Sequence, residues 1–300
     1  MSADGLFELS VSLPAPEIDD RTSRLVGFEA RYKQIQKDLR LMLAPEELAA
    51  WSKREHKKSL PLCEVLADRY PLIVFYGDVG TGKTATAEGV ASRLAKDTGR
   101  EAMLYKLSTR VRGTGLHGEM SKLVGEAFEQ IVQSIGKKRL AILLIDEADA
   151  LASSRETLQS HQEEKAGTNT LIQKIDDVRK HGGRFVVFLC TNRLNAVDPA
   201  VIRRAARVMS FERPTDEERR DLLRHDLEGL GLTESNLNEL VKATGPHPKD
   251  GRQYGLTYSD LRTRFLPTAV LEAYPDRPLT FDILLRVARA TEPSPPLMPV

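Results

Sequence analysis

Only two cysteines occur in the 300 residues, Cys63 and Cys190, far apart and in different kinds of segment. That excludes a disulfide framework and suits a reducing compartment. No apolar stretch approaches the roughly 20 residues that a membrane-spanning helix needs. The opening Met1-Ser2-Ala3-Asp4-Gly5 lacks the basic start and apolar core of a secretory signal. The expectation is a soluble, cytoplasmic protein. Surplus charge is equally scarce: 44 Lys and Arg face 43 Asp and Glu, a net charge of +1. A dedicated nucleic-acid binder would carry a basic stripe. The one compact basic run, Lys53-Arg54-Glu55-His56-Lys57-Lys58, is interrupted by an acid and reads as a solvated face. Neither a zinc cluster, a protease motif nor an internal repeat is visible, so a target would not be cut by this chain.

What is present is concentrated in one stretch. Gly77-Asp78-Val79-Gly80-Thr81-Gly82-Lys83-Thr84 carries two glycines, a lysine and a hydroxyl at phosphate-loop spacing. The apolar run Leu72–Tyr76 stands before it as a buried strand. Ala87, Val90, Ala91 and Leu94 follow it at helical spacing. Strand, glycine loop and helix start are the context this chemistry needs: backbone N–H groups face the phosphates of ATP. Lys83 reaches the β and γ oxygens, and Thr84 offers its hydroxyl to Mg2+.

A second apolar strand, Leu140–Ile145, ends in Asp146-Glu147. Adjacent carboxylates at the end of a buried strand are costly unless they meet a cation or a phosphate site. Asp146 is expected to hold the magnesium shell and Glu147 to polarise a water toward the γ-phosphate. A third strand, Phe185–Cys190, runs into Thr191-Asn192-Arg193, where the Asn192 amide can sense which nucleotide is bound. After Asp198-Pro199 come Arg203 and Arg204, placed to reach a neighbouring protomer's nucleotide.

Strand candidates at 72–76, 102–107, 140–145, 185–190 and 208–211 are separated by helical segments. This is the alternation of a parallel five-stranded sheet between helices. From Pro214 onward the pattern is helical alone, with a capping box at Thr215-Asp216-Glu217-Glu218. Further helices are predicted at 234–243, 258–274 and 281–290, with a kink at Pro267. The expected organisation is a flexible arm over 1–20, a large α/β domain over 21–212, a small all-helical domain over 213–291, which the resemblance named below makes the lid of an ATPase, and a disordered tail over 292–300. The polar stretch 153–166 is long for an idle connection.

Taken in order, from about Arg21 to Thr291, these pieces resemble the AAA+ ATPases. The closest likeness is to the HORMA-remodelling branch, which includes the pachytene-checkpoint or thyroid-receptor-interacting ATPase and its bacterial relatives in CBASS anti-phage operons. The likeness rests on Glu147-Ala148-Asp149-Ala150-Leu151, Lys174-Ile175-Asp176-Asp177-Val178 and the run from Val197 to Arg204. The resemblance implies that Val26 and Gly27 help to enclose the adenine, and that Arg262 of the lid contacts the phosphates. It implies one trans-acting arginine, at Arg204 by the branch's pattern or Arg203 by that of the wider family. Leu116 and His117, flanked by glycines, fall where a pore loop would grip a polypeptide in a homohexamer, with 153–166 as a second, lower pore element. The implied function is ATP-driven opening of a closed HORMA protein holding a peptide and a CD-NTase-type nucleotidyltransferase. That would restrain antiviral second-messenger synthesis. The competing expectation is a loader-type AAA+ ATPase acting on nucleic acid.

Overall fold

The computed structural model describes residues 5–108, 119–136, 139–152, 162–248 and 251–296. The chain forms two compact units. One comprises Met1–Tyr76 with Thr84–Ser210, the other Gly77–Lys83 with Phe211–Val300. The phosphate-loop sequence therefore groups with the helical C-terminal part, although it is spliced into the α/β part of the chain.

The first unit is built on a sheet in the order β1-β3-β4-β5-β2-β6. Its strands are β1 (Phe7–Leu13), β2 (Leu72–Gly77), β3 (Ala102–Leu107), β4 (Leu140–Ile145), β5 (Phe185–Thr191) and β6 (Arg207–Phe211). The pairs β3–β4, β4–β5 and β5–β2 are parallel. Every residue of β4 and β5 is buried, as near-continuous apolar runs in a sheet covered on both faces require. On one face α6 (Glu119–Ile135) and α7 (Gln162–Val178) press Val124, Phe128, Ile131 and Leu171 against Leu143, Val187 and Phe185. The other described helices of this unit are α1 (Pro16–Ser23), α2 (Phe28–Leu43), α3 (Pro45–His56), α4 (Pro61–Ala67), α5 (Lys83–Thr98) and the single turn α8 (Pro199–Ile202).

The sequence reading anticipated five strands; the sixth is β1, inside the segment read as an arm. Phe7, Leu9, Val11 and Leu13 alternate with exposed Glu8, Ser10 and Ser12, the period of a half-covered edge strand. It lies antiparallel to β3, with a register irregularity between Phe7 and Leu9.

The second unit is helical: α9 (Asp216–Asp226), α10 (Glu234–Ala243), a π-helical stretch Asp260–Phe265 running into α11 (Leu266–Ala273), and α12 (Phe281–Ala290). Reciprocal capping boxes open α9 at Thr215 and α10 at Thr233. Leu222, Leu240, Leu261, Phe265 and Leu284 are fully buried. In place of a simple kink at Pro267, the turns before it widen. Proline lacks an N–H and crowds the preceding turn, and a π-helical stretch absorbs both. Part of the segment read as a disordered tail is also engaged. Ser294 donates to the Asp260 carboxylate through its backbone N–H (3.1 Å) and its hydroxyl (2.6 Å). Prolines on both sides bar a helix but leave an extended strap able to make these bonds.

Candidate functional site

In the first unit, parallel register sets the carboxyl ends of three strands side by side: Ile145 lies opposite Leu189, and Tyr76 opposite Thr191. Asp146, Asn192 and Thr84 follow from those ends. Thr84 Oγ1 donates to Asp146 Oδ2 at 3.0 Å, and the Glu147 N–H donates to Asp146 Oδ1 at 3.0 Å. Both oxygens of Asp146 are thus oriented. Glu147 is exposed and stands at φ 49°, ψ 46°, a left-handed conformation that costs a non-glycine residue on the order of 1 kcal/mol. The 3₁₀ turn Ala148–Ala150 holds it there, with Ala150 N–H bonded to the Glu147 carbonyl at 3.0 Å. Asn192 is half-buried, and the turn carrying it is pinned by Thr191. The Thr191 hydroxyl donates to Asp149 Oδ1 (2.9 Å) and accepts from Arg193 N–H (3.0 Å).

A cation that the sequence reading missed stands beside this pair. Lys106 Nζ lies 3.4 Å from Asp146 Oδ2 and 3.5 Å from Glu8 Oε2. Burial by itself would lower the Lys106 pKa, but Asp146 and Glu8, with Glu88 further off, outweigh it and raise the net value. Glu88 is nearly buried and pairs with Arg21 at 3.1 Å; burial raises its pKa despite that partner. Lys106, Glu8, Asp146 and Glu147 line a cleft of about 230 Å³.

The phosphate-loop residues belong to the second unit. Gly77 has φ 146°, and a Cβ there would fall 2.0 Å from the Phe211 carbonyl oxygen, so only glycine fits. Gly80 has φ 74°, and its Cβ would meet Ser259 at 2.7 Å and the Thr257 hydroxyl at 2.8 Å. Its carbonyl accepts from Ser259 N–H at 3.1 Å. Thr81 is buried and closes the turn by donating to the Asp78 carbonyl (2.8 Å). Gly82 has φ 89°, and Val79 is exposed. Lys83 Nζ donates to the Gly77 (3.0 Å) and Asp78 (2.6 Å) carbonyls, so the loop itself satisfies a nearly buried ammonium. The Asp78 carboxylate pairs with Arg213 at 2.8 Å. Arg213 also donates to the carbonyls of Gly255 (2.9 Å) and Ser294 (2.6 Å) and lies over the Tyr254 ring. One guanidinium thus ties the loop to the C-terminal strap. The sequence signal for it was slight: an arginine one residue before Pro214.

The remaining predicted residues are placed as follows. Gly27, at φ 74°, caps the start of α2, and the Val26 carbonyl accepts from Arg31 at 2.6 Å. Gly27, Phe28, Gly89 and Arg93 line a second cavity of about 360 Å³. Arg204 is chelated by Asp176, donating from Nε and, at 2.9 Å, from one terminal nitrogen. It also bonds the Ala200 carbonyl and lies 5.5 Å over the Tyr70 ring. Arg203, one residue earlier, is exposed at the end of α8. Arg262 is chelated by Asp226 within the helical unit, at 2.6 and 2.9 Å. The Arg262–Asp226 pair is internal to that unit. Leu116 and His117 lie outside the described residues, as do 153–161 of the polar stretch; 162–166 open α7. Among the described residues no helix is long and apolar enough to cross a membrane.

Comparison with known proteins adds to this geometry. The family described as ATPase family associated with various cellular activities (AAA) matches residues 73–213. A CD-NTase-associated protein 6 from Escherichia coli (strain KTE188) is 47% identical over 296 residues, covering 98% of each chain. Among solved structures, a chain of the E. coli MS115-1 HORMA:CdnC:Trip13 complex overlays with a TM-score of 0.93 at 39% identity, across 99% of each chain. Rhizobiales Trip13 overlays at 0.75 with 35% identity, covering 97% of this chain and 100% of that one.

Proposed function

The chain belongs to the AAA family of ATPases, alongside the CD-NTase-associated protein 6 relatives, and on that premise we propose that it hydrolyses ATP to open a HORMA-domain protein. The observation that carries the proposal is the overlay, at TM-score 0.93 and over 99% of both chains, with a chain of a complex that contains HORMA, CdnC and Trip13. A shared fold alone would not favour this partner. Near-complete coverage at 39% identity ties the likeness to one kind of assembly.

The residues act as follows. Gly77, Gly80 and Gly82 supply backbone N–H groups that no side chain obstructs. Lys83, held by two loop carbonyls, exchanges those acceptors for phosphate oxygens at little desolvation cost, since it is already nearly buried. The Thr84 hydroxyl and the Asp146 carboxylate already meet at 3.0 Å, two hard oxygen donors of the kind magnesium takes beside substrate phosphates. A magnesium ion held by these two residues would neutralise phosphate charge. Glu147, exposed at the end of β4, orients and polarises the attacking water. Asn192 monitors the γ-phosphate from the neighbouring strand end. Val26 and Gly27 border the adenine.

Of the two arginines, Arg203 is the one suited to act in trans. Arg204 is paired with Asp176 inside its own subunit and would have to give up that pair to reach across an interface, whereas Arg203 is exposed and would give up nothing of the kind. Trans action requires a ring, which the resemblance gives as a homohexamer. Leu116 and His117 remain the proposed grip on the HORMA chain. Releasing its closing segment would free the bound peptide and the nucleotidyltransferase, so the ATPase serves as a brake on the second-messenger response in the cytoplasm.

The test is peptide release. A closed HORMA–peptide complex, made with a HORMA protein of the kind in the E. coli HORMA:CdnC:Trip13 complex, should lose its peptide when mixed with the wild-type chain, ATP and Mg2+. With Glu147→Gln it should not. Peptide retention with active wild-type ATPase would reject the HORMA assignment, and ATPase stimulation by DNA would then favour the loader reading.

A further inference from the structure

Lys106 has no place in the hydrolytic scheme above, yet it occupies the oxygen that scheme needs most. Asp146 Oδ2 accepts from Thr84 at 3.0 Å and faces Lys106 Nζ at 3.4 Å. Three separate elements converge on that ammonium. Lys106 lies next to last in β3, paired in parallel with β4 at Leu144, two residues before Asp146. Glu8 comes from β1, where Phe7 pairs with Leu107 and Leu9 with Lys106, so Glu8 is the extra residue of a bulge. A bulge re-aims the side chain that it carries, and this one sends the Glu8 carboxylate to 3.5 Å from Lys106 Nζ. Glu88, nearly buried on α5, adds a further negative field and is itself tied to Arg21. The Lys106 ammonium already stands within 3.5 Å of both carboxylates, so its weight can shift from one to the other with little movement.

We propose that Lys106 is a resident counter-cation of Asp146, exchanged onto Glu8 when a divalent metal arrives with the nucleotide. Before that exchange it shields the incoming phosphates from the Asp146 charge; after it, Glu8 keeps the displaced ammonium satisfied. Lys106 is thus a positioning residue that governs how strongly nucleotide affinity depends on the metal. The inference rests on the assignment of Asp146 to the magnesium shell.

Calorimetric titration of the full chain with ADP, in EDTA and in Mg2+, tests it. The quantity read is the ratio of the two dissociation constants. In Lys106→Met the bare Asp146 carboxylate repels phosphate when no metal is present and binds metal without a competitor. The ratio should therefore rise about tenfold, the scale of one unit charge a few ångströms away in a partly wet site. Lys106→Arg keeps the charge and should keep the ratio. Glu8→Gln, a substitution on an edge strand, removes the negative charge that makes Glu8 an alternative partner for the ammonium. The ammonium then stays on Asp146 and the ratio should fall. Opposite shifts from two neighbouring substitutions are not what loss of packing produces, and Glu8→Gln decides the matter if Lys106→Met fails to fold. Wild-type ratios in the folded variants overturn the inference alone. A wild-type chain that binds ADP equally well with and without Mg2+, before and after Asp146→Asn, overturns the assignment of Asp146 and the inference with it.

Discussion

The two adjacent arginines give a prediction in which stability and catalysis separate. Arg204 is held by Asp176 through two guanidinium nitrogens, by the Ala200 carbonyl and by the Tyr70 ring. Its side chain is 23% exposed and that of Asp176 is 39%, so solvent screens the pair and its worth is that of a good surface bridge, about 1 kcal/mol. The ring contact adds roughly 0.5–1 kcal/mol. Arg204→Ala should therefore cost about 1–2 kcal/mol and, for a chain of 300 residues, lower Tm by about 2–3 °C. Arg203 is exposed, so Arg203→Ala should change stability by no more than about 0.5 kcal/mol. Turnover should divide the other way. A trans-acting arginine contributes about three to five orders of magnitude in rate, so Arg203→Ala should lose nearly all ATPase activity while binding ADP normally. Arg204→Ala should retain a substantial part of its activity once folded. Thermal melts, ADP titration and steady-state ATPase assays on the same three preparations decide it. Arg204→Ala with wild-type Tm and no turnover, beside an active Arg203→Ala, would refute the reasoning.

Three further outcomes are expected. Glu147→Gln should bind ATP with magnesium and turn it over very slowly, whereas Lys83→Ala should lose affinity itself; unimpaired turnover in the first would show the strand-end carboxylates to be misassigned. Ser294→Ala removes one of the bonds that hold the buried Asp260 ionised, and a hydrogen bond to a charged group is worth about 1.5–3 kcal/mol. Burial pushes the Asp260 pKa up, but bonds from Ser294 and Thr257 more than offset this and leave it below the ordinary carboxylate value. The stability this provides is complete above the unfolded value near 4 and disappears as pH falls through the folded one. The wild-type advantage over Ser294→Ala should accordingly be full at pH 7 and shrink below about pH 4 in denaturant titrations; a gap that does not vary with pH would place the effect elsewhere. Leu116→Ala should retain basal ATPase activity but fail to release a HORMA-bound peptide, and release at the wild-type rate would exclude this loop as the grip.

The motifs proposed for nucleotide binding and hydrolysis were legible because the chemistry they suggest is local. A phosphate loop needs glycines within eight consecutive residues, and the carboxylates need a strand directly before them. Strand limits at 102–107 and 140–145, and helix limits at 234–243 and 281–290, were read correctly for the same reason: buried runs and capping signals mark their own ends. The loop's seven residues grouping with the helical unit was not legible, since contacts from Phe211, Thr257 and Ser259 join positions more than 100 residues apart in the chain. Strand β1 was written plainly in the alternation of residues 7–13, but alternation beside two prolines does not say which sheet edge waits to receive it. Side-chain partnerships were the least accessible. Which of two adjacent arginines is sequestered by Asp176, that Arg262 is held by Asp226, that Arg213 gathers Asp78 and Ser294, and that a bulge delivers Glu8 to Lys106 are facts of distance. Sequence by itself determined the main strands, the glycine loop and the residues proposed for the chemistry, because backbone preference and local spacing act over a few residues. Which charges are committed and which remain available was decided only by tertiary structure, because an ion pair depends on where two distant segments meet.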